Sequence, residues 1–155
     1  MDRVFNFISP REDYMADAVV VWCFDQRFET VFRKFLKRIG VACFDPVRIA
    51  GGAKTLAHPE HEGDRLFLLD QIRKSMRLHK TGTAILMLHS DCGAFGGLAA
   101  FKNNAEKEAL SHSLTLRQAG NFLKEKIPDL NVKAYLVDFE GVWEVESAAA
   151  GQSST

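Results

Sequence analysis

Two short segments carry the side chains best suited to chemistry. Cys23 lies just before Asp25 and Arg27, and His89 lies three residues before Cys92. Each segment follows an apolar run of the kind that forms a buried strand. Because neighbouring parallel strands end at one edge of a sheet, we expect the two thiols and the imidazole to meet there. Two thiolates and one imidazole suit zinc, with a fourth position that is open or held by a carboxylate, and open zinc sites perform hydrolytic and hydration chemistry.

In the alternative without a metal, both cysteines are small apolar core residues and His89 is a core histidine whose ring nitrogens are hydrogen-bonded. For any one of the three residues this alternative is the better one. The combination of all three favours a metal site, with Cys23, His89 and Cys92 as its ligands. Cys43 lacks a suitable neighbour, and we expect it to be a buried structural residue.

Asp25 and Arg27 form the second element of the predicted site. Two residues apart and just past a strand, they can make a bidentate ion pair beside the metal. Arg27 would keep Asp25 ionised, and Asp25 could then accept a hydrogen bond from zinc-bound hydroxide. If Arg27 turned away, Asp25 could bind zinc itself and close the site. Alternatively, Asp25 caps the following helix and Arg27 is a solvated surface residue, and the two roles are compatible.

Composition indicates one globular domain that binds neither nucleic acid nor a membrane. The chain has 155 residues, 46% of them hydrophobic and 26% charged. Twenty basic and twenty acidic side chains cancel, so no long-range field favours nucleic acid or an anionic membrane. We expect a single domain at residues 1–146 and a disordered tail at residues 147–155, which are mostly small and polar.

Hydropathy and cysteine content predict a cytoplasmic protein. The longest apolar run, residues 18–24, is far short of the roughly 20 residues that span a bilayer. The N-terminus has no apolar stretch like that of a signal peptide. Three cysteines in such a chain favour metal binding or a reactive thiol over a disulfide framework.

The remaining pattern predicts an α/β fold. Strands are expected at residues 18–24, 41–49, 83–88 and 132–139, helices after the first three, and a short antiparallel strand at 142–145. Pro46 places an edge or a bulge in the second strand. Residues 50–63 are predicted to be a loop, and Asp64 to cap a helix whose core face carries Phe67, Leu68, Ile72 and Met76. The result is a three-layer fold with a mainly parallel four-stranded sheet and an added antiparallel edge strand.

The two motifs together resemble those of the β-class carbonic anhydrases. Cys-x-Asp-x-Arg at residues 23–27 is followed by His-x-x-Cys-Gly at residues 89–93, in the order and at the strand ends typical of that family. The resemblance covers roughly residues 18–145. It implies zinc on Cys23, His89 and Cys92, an Asp25–Arg27 dyad, and hydration of carbon dioxide to bicarbonate. It also implies a homodimer or higher homo-oligomer with the site near the subunit interface.

This chain differs from the family pattern in three places. Residues 28–31 enter a helix directly where many members have Val-Pro-Pro-Glu, and residues 48–52 replace both Asn positions of the family's Arg-Asn-Ala-Gly-Asn segment. The N-terminal helical arm is largely missing. Two alternatives therefore stay open: hydrolysis of carbonyl sulfide or carbon disulfide, and a zinc-binding protein without turnover. His58 and His61 are compatible with a second metal site or a proton shuttle, although a solvated loop is the simpler interpretation.

Overall fold

The structure is a computed structural model and describes residues 1–146. Within these residues the strands are β1 (Ala18–Trp22), β2 (Phe44–Arg48), β3 (Thr83–His89), β4 (Asn131–Val137) and β5 (Val142–Glu144). The helices are α1 (Glu29–Arg38), α2 (Lys54–Ala57), α3 (Glu62–His79) and α4 (Ala105–Lys126).

The five strands form one sheet in the order β2-β1-β3-β4-β5. The pairs β1–β2, β1–β3 and β3–β4 are parallel, and β5 runs antiparallel to β4. All five residues of β1 are buried, which suits a strand with a neighbour on each side and helices on both faces. The predicted fold class is confirmed.

Side chains alternate between two apolar layers. Val19 and Val21 join the core formed with α2, α3 and α4, whereas Val20 and Trp22 face the core formed with α1. The Trp22 indole stacks on Phe32 of α1 with ring centroids 5.4 Å apart. These layers anchor β1 and β3 from both sides, so the residues at their carboxyl ends have fixed positions.

Strand β2 forms one edge of the sheet, as Pro46 predicts. Proline has no N–H to donate, which an edge strand tolerates. The strand begins at Phe44, so the expected start at residue 41 is wrong. Cys43 lies just before it and is half-buried rather than buried, because an edge strand is covered less completely than a central one.

Two expectations for residues 50–79 are corrected. The predicted loop contains α2, a single helical turn that is too short for its periodicity to be visible in the sequence. Helix α3 begins at Glu62, so Asp64 lies in its first turn and does not cap it. Phe67 is 62% exposed, and Leu69 is buried in its place beside Leu68. Both are apolar neighbours of Leu68, and only the packing of α3 on the sheet decides which one is covered.

Residues 1–17 contain no helix or strand, and hydrogen bonds attach their last part to the domain. The Asp17 carboxylate accepts from the main-chain N–H groups of Ala42 and Cys43 at 2.9 and 2.8 Å. Asp45 accepts hydrogen bonds from Tyr14, Ser75 and His79. The tail predicted at residues 147–155 lies outside the described residues. No helix among residues 1–146 combines the length and apolar character needed to cross a membrane.

Candidate metal centre

The three predicted ligands lie together at the carboxyl edge of the sheet. Cys23 follows β1, His89 is the last residue of β3, and Cys92 lies in the turn after it. Because β1 and β3 are adjacent and parallel, their ends meet. One potential ligand atom from each residue lies within 4.8 Å of the others, and all three residues are buried. The structure therefore brings together the whole predicted cluster.

The His89 ring has one nitrogen satisfied and one free. Nδ1 lies 2.8 Å from the main-chain oxygen of Ser90, which can only accept, so Nδ1 donates its proton there. Nε2 is buried and has no hydrogen-bond partner. The rings of Trp22 and Phe28 pack against the imidazole at 5.5 and 4.7 Å and fix its plane. A metal-binding histidine has this arrangement, with one nitrogen donating to a carbonyl and the other free.

The Cys23 and Cys92 thiols lie close enough to shift each other's pKa. Donation from the Cys92 thiol lowers the pKa of Cys23 to about 4, and the same contact raises the pKa of Cys92. The main-chain N–H groups of Gly51 and Asp25 also favour the Cys23 thiolate. A divalent cation prefers thiolates, so metal binding here would release the proton that the raised pKa keeps on Cys92. The donor set and the unpaired His89 nitrogen both fit a zinc ion.

The Asp25–Arg27 dyad borders the cluster. Arg27 Nε lies 3.1 Å from both carboxylate oxygens of Asp25, and Nη2 lies 2.7 Å from Oδ2. These hydrogen bonds lower the pKa of Asp25 to about 2. Asp25 Oδ1 also accepts from the Arg27 main-chain N–H at 3.0 Å and so caps the turn at Gln26–Phe28. The ion pair and the cap are thus present together.

Asp25 lies close to the Cys23–His89–Cys92 cluster without belonging to it. Its Oδ2 is 3.9 Å from Nε2 of His89. Because Arg27 holds both oxygens, Asp25 is ionised and can only accept hydrogen bonds. It is therefore placed to orient a hydrogen-bond donor beside the cluster.

Asp91 is a site residue that the sequence analysis missed. Its Oδ2 lies 2.8 Å from Arg27 Nη1, and its main-chain oxygen lies 2.9 Å from Arg27 Nη2. The Arg27 hydrogen bond lowers the pKa of Asp91. An acidic residue between two predicted ligands was the available signal, but nothing in the sequence connects it with Arg27, 64 positions away.

Two buried residues of α4, Glu108 and His112, lie next to this turn and were also missed. Glu108 Oε1 accepts the Asp91 main-chain N–H at 2.8 Å, and burial raises the pKa of Glu108. His112 is fully buried between Phe95 and Phe101, and burial lowers its pKa to about 4, so its ring is neutral. The two residues are four positions apart, so a helix places their side chains next to each other. This spacing is the sequence pattern that could have identified them as a pair.

The loop after β2 supports the cluster from the side. Gly52 has a φ of +51°, and a Cβ at this position would lie 2.6 Å from the Met87 carbonyl oxygen and 3.1 Å from the Cys23 nitrogen. Only glycine permits this approach. Lys54 donates to the carbonyl of Ala94, which links this loop to the turn after Cys92.

His58 and His61 lie outside the cluster. Both are exposed, and among residues 1–146 neither belongs to a group of side chains that could hold a metal. His58 lines a cavity of about 300 Å³ together with Lys54 and Asp64. Neither a second metal site nor a proton shuttle at His58 and His61 is supported by this position.

Comparison with known proteins identifies the family. A family model described as "Putative carbonic anhydrase" matches residues 15–149, so this chain belongs to that family. A relative from Rickettsia bellii, an uncharacterized protein, is 30% identical over 132 residues, which cover 83% of this chain and 80% of the relative.

Solved structures show the same fold. The carbonic anhydrase of Streptococcus mutans matches with a TM-score of 0.60 at 17% identity, covering 91% of this chain and 88% of that one. Tetrameric β-carbonic anhydrases of Sordaria macrospora match with a TM-score of 0.59 at 14% identity, covering 88% and 84%. A carbon disulfide hydrolase matches with a TM-score of 0.55 at 11% identity, covering 92% and 88%. The resemblance to β-class carbonic anhydrases is confirmed.

Proposed function

We propose that this protein is a zinc-dependent carbonic anhydrase that hydrates carbon dioxide to bicarbonate reversibly. The single observation that carries the proposal is the buried Cys23–His89–Cys92 cluster with an ionised carboxylate at its border. These three side chains would hold the zinc. Asp25 and Arg27 would be the catalytic residues.

When bound, zinc would act as a Lewis acid that makes water nucleophilic near neutral pH. Asp25 accepts a hydrogen bond from the reacting water and so directs the lone pair of the water oxygen toward the carbon of carbon dioxide. Arg27 keeps Asp25 ionised and oriented. The rings of Trp22 and Phe28 shield His89 from solvent and hold its free nitrogen in place. The reaction consumes water and carbon dioxide, yields bicarbonate, and passes one proton to buffer.

The same cluster supports a second candidate, hydrolysis of carbonyl sulfide or carbon disulfide. These substrates are linear and uncharged like carbon dioxide and present the same geometry to a nucleophile. The observation that favours this candidate is the fold shared with a carbon disulfide hydrolase. A zinc-binding protein without turnover is a third possibility, but a purely structural site normally has four protein ligands, whereas the cluster has three.

Stopped-flow hydration of carbon dioxide by the zinc-loaded protein tests the proposal. Replacing Asp25 with Ala should lower kcat/KM about 10- to 100-fold, the usual loss when a residue next to the metal ligands is removed. Asp70→Asn is the control, since it removes an exposed carboxylate paired only with Lys74. Full zinc occupancy without hydration above buffer would refute carbonic anhydrase activity. Product formation from carbonyl sulfide or carbon disulfide by the same sample would then support the second candidate.

We also propose that the protein is a cytoplasmic homo-oligomer. The tetrameric state of the Sordaria macrospora enzymes supports oligomerisation. Three free cysteines suit a reducing compartment. Sedimentation velocity at several protein concentrations would measure the oligomeric state, and a monomer at all of them would contradict it.

A further inference from the structure

Arg27 lies between two carboxylates. The Asp25 carboxylate accepts hydrogen bonds from Nε and Nη2. The Asp91 carboxylate accepts a hydrogen bond from Nη1 at 2.8 Å, and the Asp91 main-chain oxygen accepts one from Nη2 at 2.9 Å. The guanidinium also lies 5.7 Å from the ring centroids of Phe28 and Phe139. Asp25 binds the Nε–Nη2 edge of the guanidinium and Asp91 binds the Nη1–Nη2 edge, so all three nitrogens of Arg27 have a partner.

Asp91 is itself fixed from three directions. Besides the ion pair with Arg27, its Oδ1 accepts the Leu98 main-chain N–H at 3.0 Å. Its own N–H donates to the buried carboxyl of Glu108 at 2.8 Å. Its φ of +54° lies in the left-handed region, which a residue other than glycine adopts at an energetic cost. These contacts restrain Asp91 where its carboxylate reaches Arg27.

The Asp25–Arg27 pair needs such a restraint. The Arg27 side chain is 46% exposed, and an isolated ion pair at such exposure holds its geometry weakly. Asp91 is itself 41% exposed, so its effect comes from joining Asp25 and Arg27 in a network of charges and not from a second isolated pair. Asp25 Oδ2 lies 3.9 Å from His89 Nε2. Two ligand atoms of one tetrahedral zinc lie roughly 3.3 Å apart, given Zn–N and Zn–O bonds of about 2.0 Å. A small movement of Asp25, freed from Arg27, would therefore make it a metal ligand.

We propose that Asp91 is a positioning residue that holds Arg27 against Asp25 and thereby keeps Asp25 from occupying the fourth metal position. The inference rests on the proposed function, since it assigns a state to the same metal site. The hydrogen bonds of the Asp91 side chain go to Arg27 and to the Leu98 main chain, and the ligand atoms of the cluster come from Cys23, His89 and Cys92. Asp91 acts through Arg27, and its loss would favour a closed site in which Asp25 binds the metal.

Four proteins test this inference: the parent, Asp91→Asn, Asp25→Ala and the double variant. Asparagine keeps the oxygen that accepts from Leu98 and tolerates a positive φ, so it removes chiefly the charge that faces Arg27. Asp70→Asn is the control for the loss of one negative charge. Each protein is loaded with cobalt(II), and its visible absorption is titrated with thiocyanate, an anion that binds at an open metal position.

We expect Asp91→Asn to lower thiocyanate affinity about 10- to 100-fold, with a parallel fall in kcat/KM of the zinc form. In the Asp25→Ala background the same substitution should change thiocyanate affinity less than about twofold, because the competing ligand is gone and the two effects are coupled. Asp70→Asn should match the parent.

Equal thiocyanate affinities in the parent and Asp91→Asn would overturn the inference. A loss that persists without Asp25 would also overturn it, since Asp25 would then not be the competing ligand. A parent that binds cobalt and thiocyanate but hydrates no carbon dioxide would refute the proposed function, while the titrations would still decide the role of Asp91. A parent without cobalt absorption would refute both.

Discussion

Replacing Gly52 with Ala should displace the loop that supports the candidate metal centre. Gly52 is buried with a φ of +51°, and a Cβ there would lie 2.6 Å from the Met87 oxygen and 3.1 Å from the Cys23 nitrogen. Both are main-chain atoms, one within β3 and one directly after β1, and neither strand can move without disturbing the sheet. The loop must therefore give way, taking with it the Gly51 N–H that favours the Cys23 thiolate.

The expected loss of stability has two parts. A left-handed conformation costs a residue with a Cβ roughly 1–2 kcal/mol. Overpacking in a buried, rigid place costs about 1–3 kcal/mol. Together they lower the free energy of unfolding by roughly 2–5 kcal/mol. At 155 residues, each kcal/mol shifts Tm by about 2–4 °C, so Tm should fall by roughly 4–20 °C.

Thermal unfolding followed by circular dichroism measures this effect, and zinc content measured on the same samples should fall with it. Gly63→Ala is the matched control. Gly63 lies in the first turn of α3, and a Cβ there meets no atom within 4 Å. That substitution should raise stability by about 0.4–1 kcal/mol, because alanine restricts the unfolded chain. Melting of Gly52→Ala within about 1 °C of the parent would refute the steric argument.

Two further predictions concern the ligands and the N-terminal attachment. Cys92→Ser should lose its zinc on dialysis against a chelator and melt at a lower temperature, whereas Cys43→Ser should keep its zinc; equal metal content in both variants would show that the ligand assignment is wrong. Burial raises the pKa of Asp45, but hydrogen bonds from Ser75, His79 and Tyr14 outweigh it and lower the pKa overall. A lowered pKa contributes stability above the unfolded value of about 3.9 that is lost as the pH falls through the folded value. The Tm difference between the parent and Asp45→Asn should therefore shrink below about pH 4, and an unchanged difference from pH 7 to pH 3 would contradict this.

Much of the fold was predictable because its signals are local. The apolar runs that became β1 and β3 contrast with their polar neighbours, and Pro46 indicated an edge strand. The interpretation of α3 failed at Phe67, since hydrophobic periodicity permitted more than one buried face. The single turn of α2 is shorter than one period of that signal and could not be detected in the sequence.

Some residues of the candidate site could be predicted from local sequence patterns, and others could not. Cys23, His89 and Cys92 were identified as a group because each stands at the end of a predicted strand, where chain topology brings ligands together. Asp91 and Glu108 were not identified from the sequence. The contact of Asp91 with Arg27 joins residues 64 positions apart, and its contact with Glu108 joins residues 17 positions apart. No local pattern in the sequence encodes such distances.

The sequence by itself determined which donors are available and that they converge at one edge of a parallel sheet. Only the tertiary structure decided that Arg27 lies between Asp25 and Asp91, and that Nε2 of His89 is the free nitrogen. The physical reason is that residue types and alternation are properties of short segments. Hydrogen-bond geometry at the candidate metal centre depends on strand register and helix packing, which arise only when distant segments fold together.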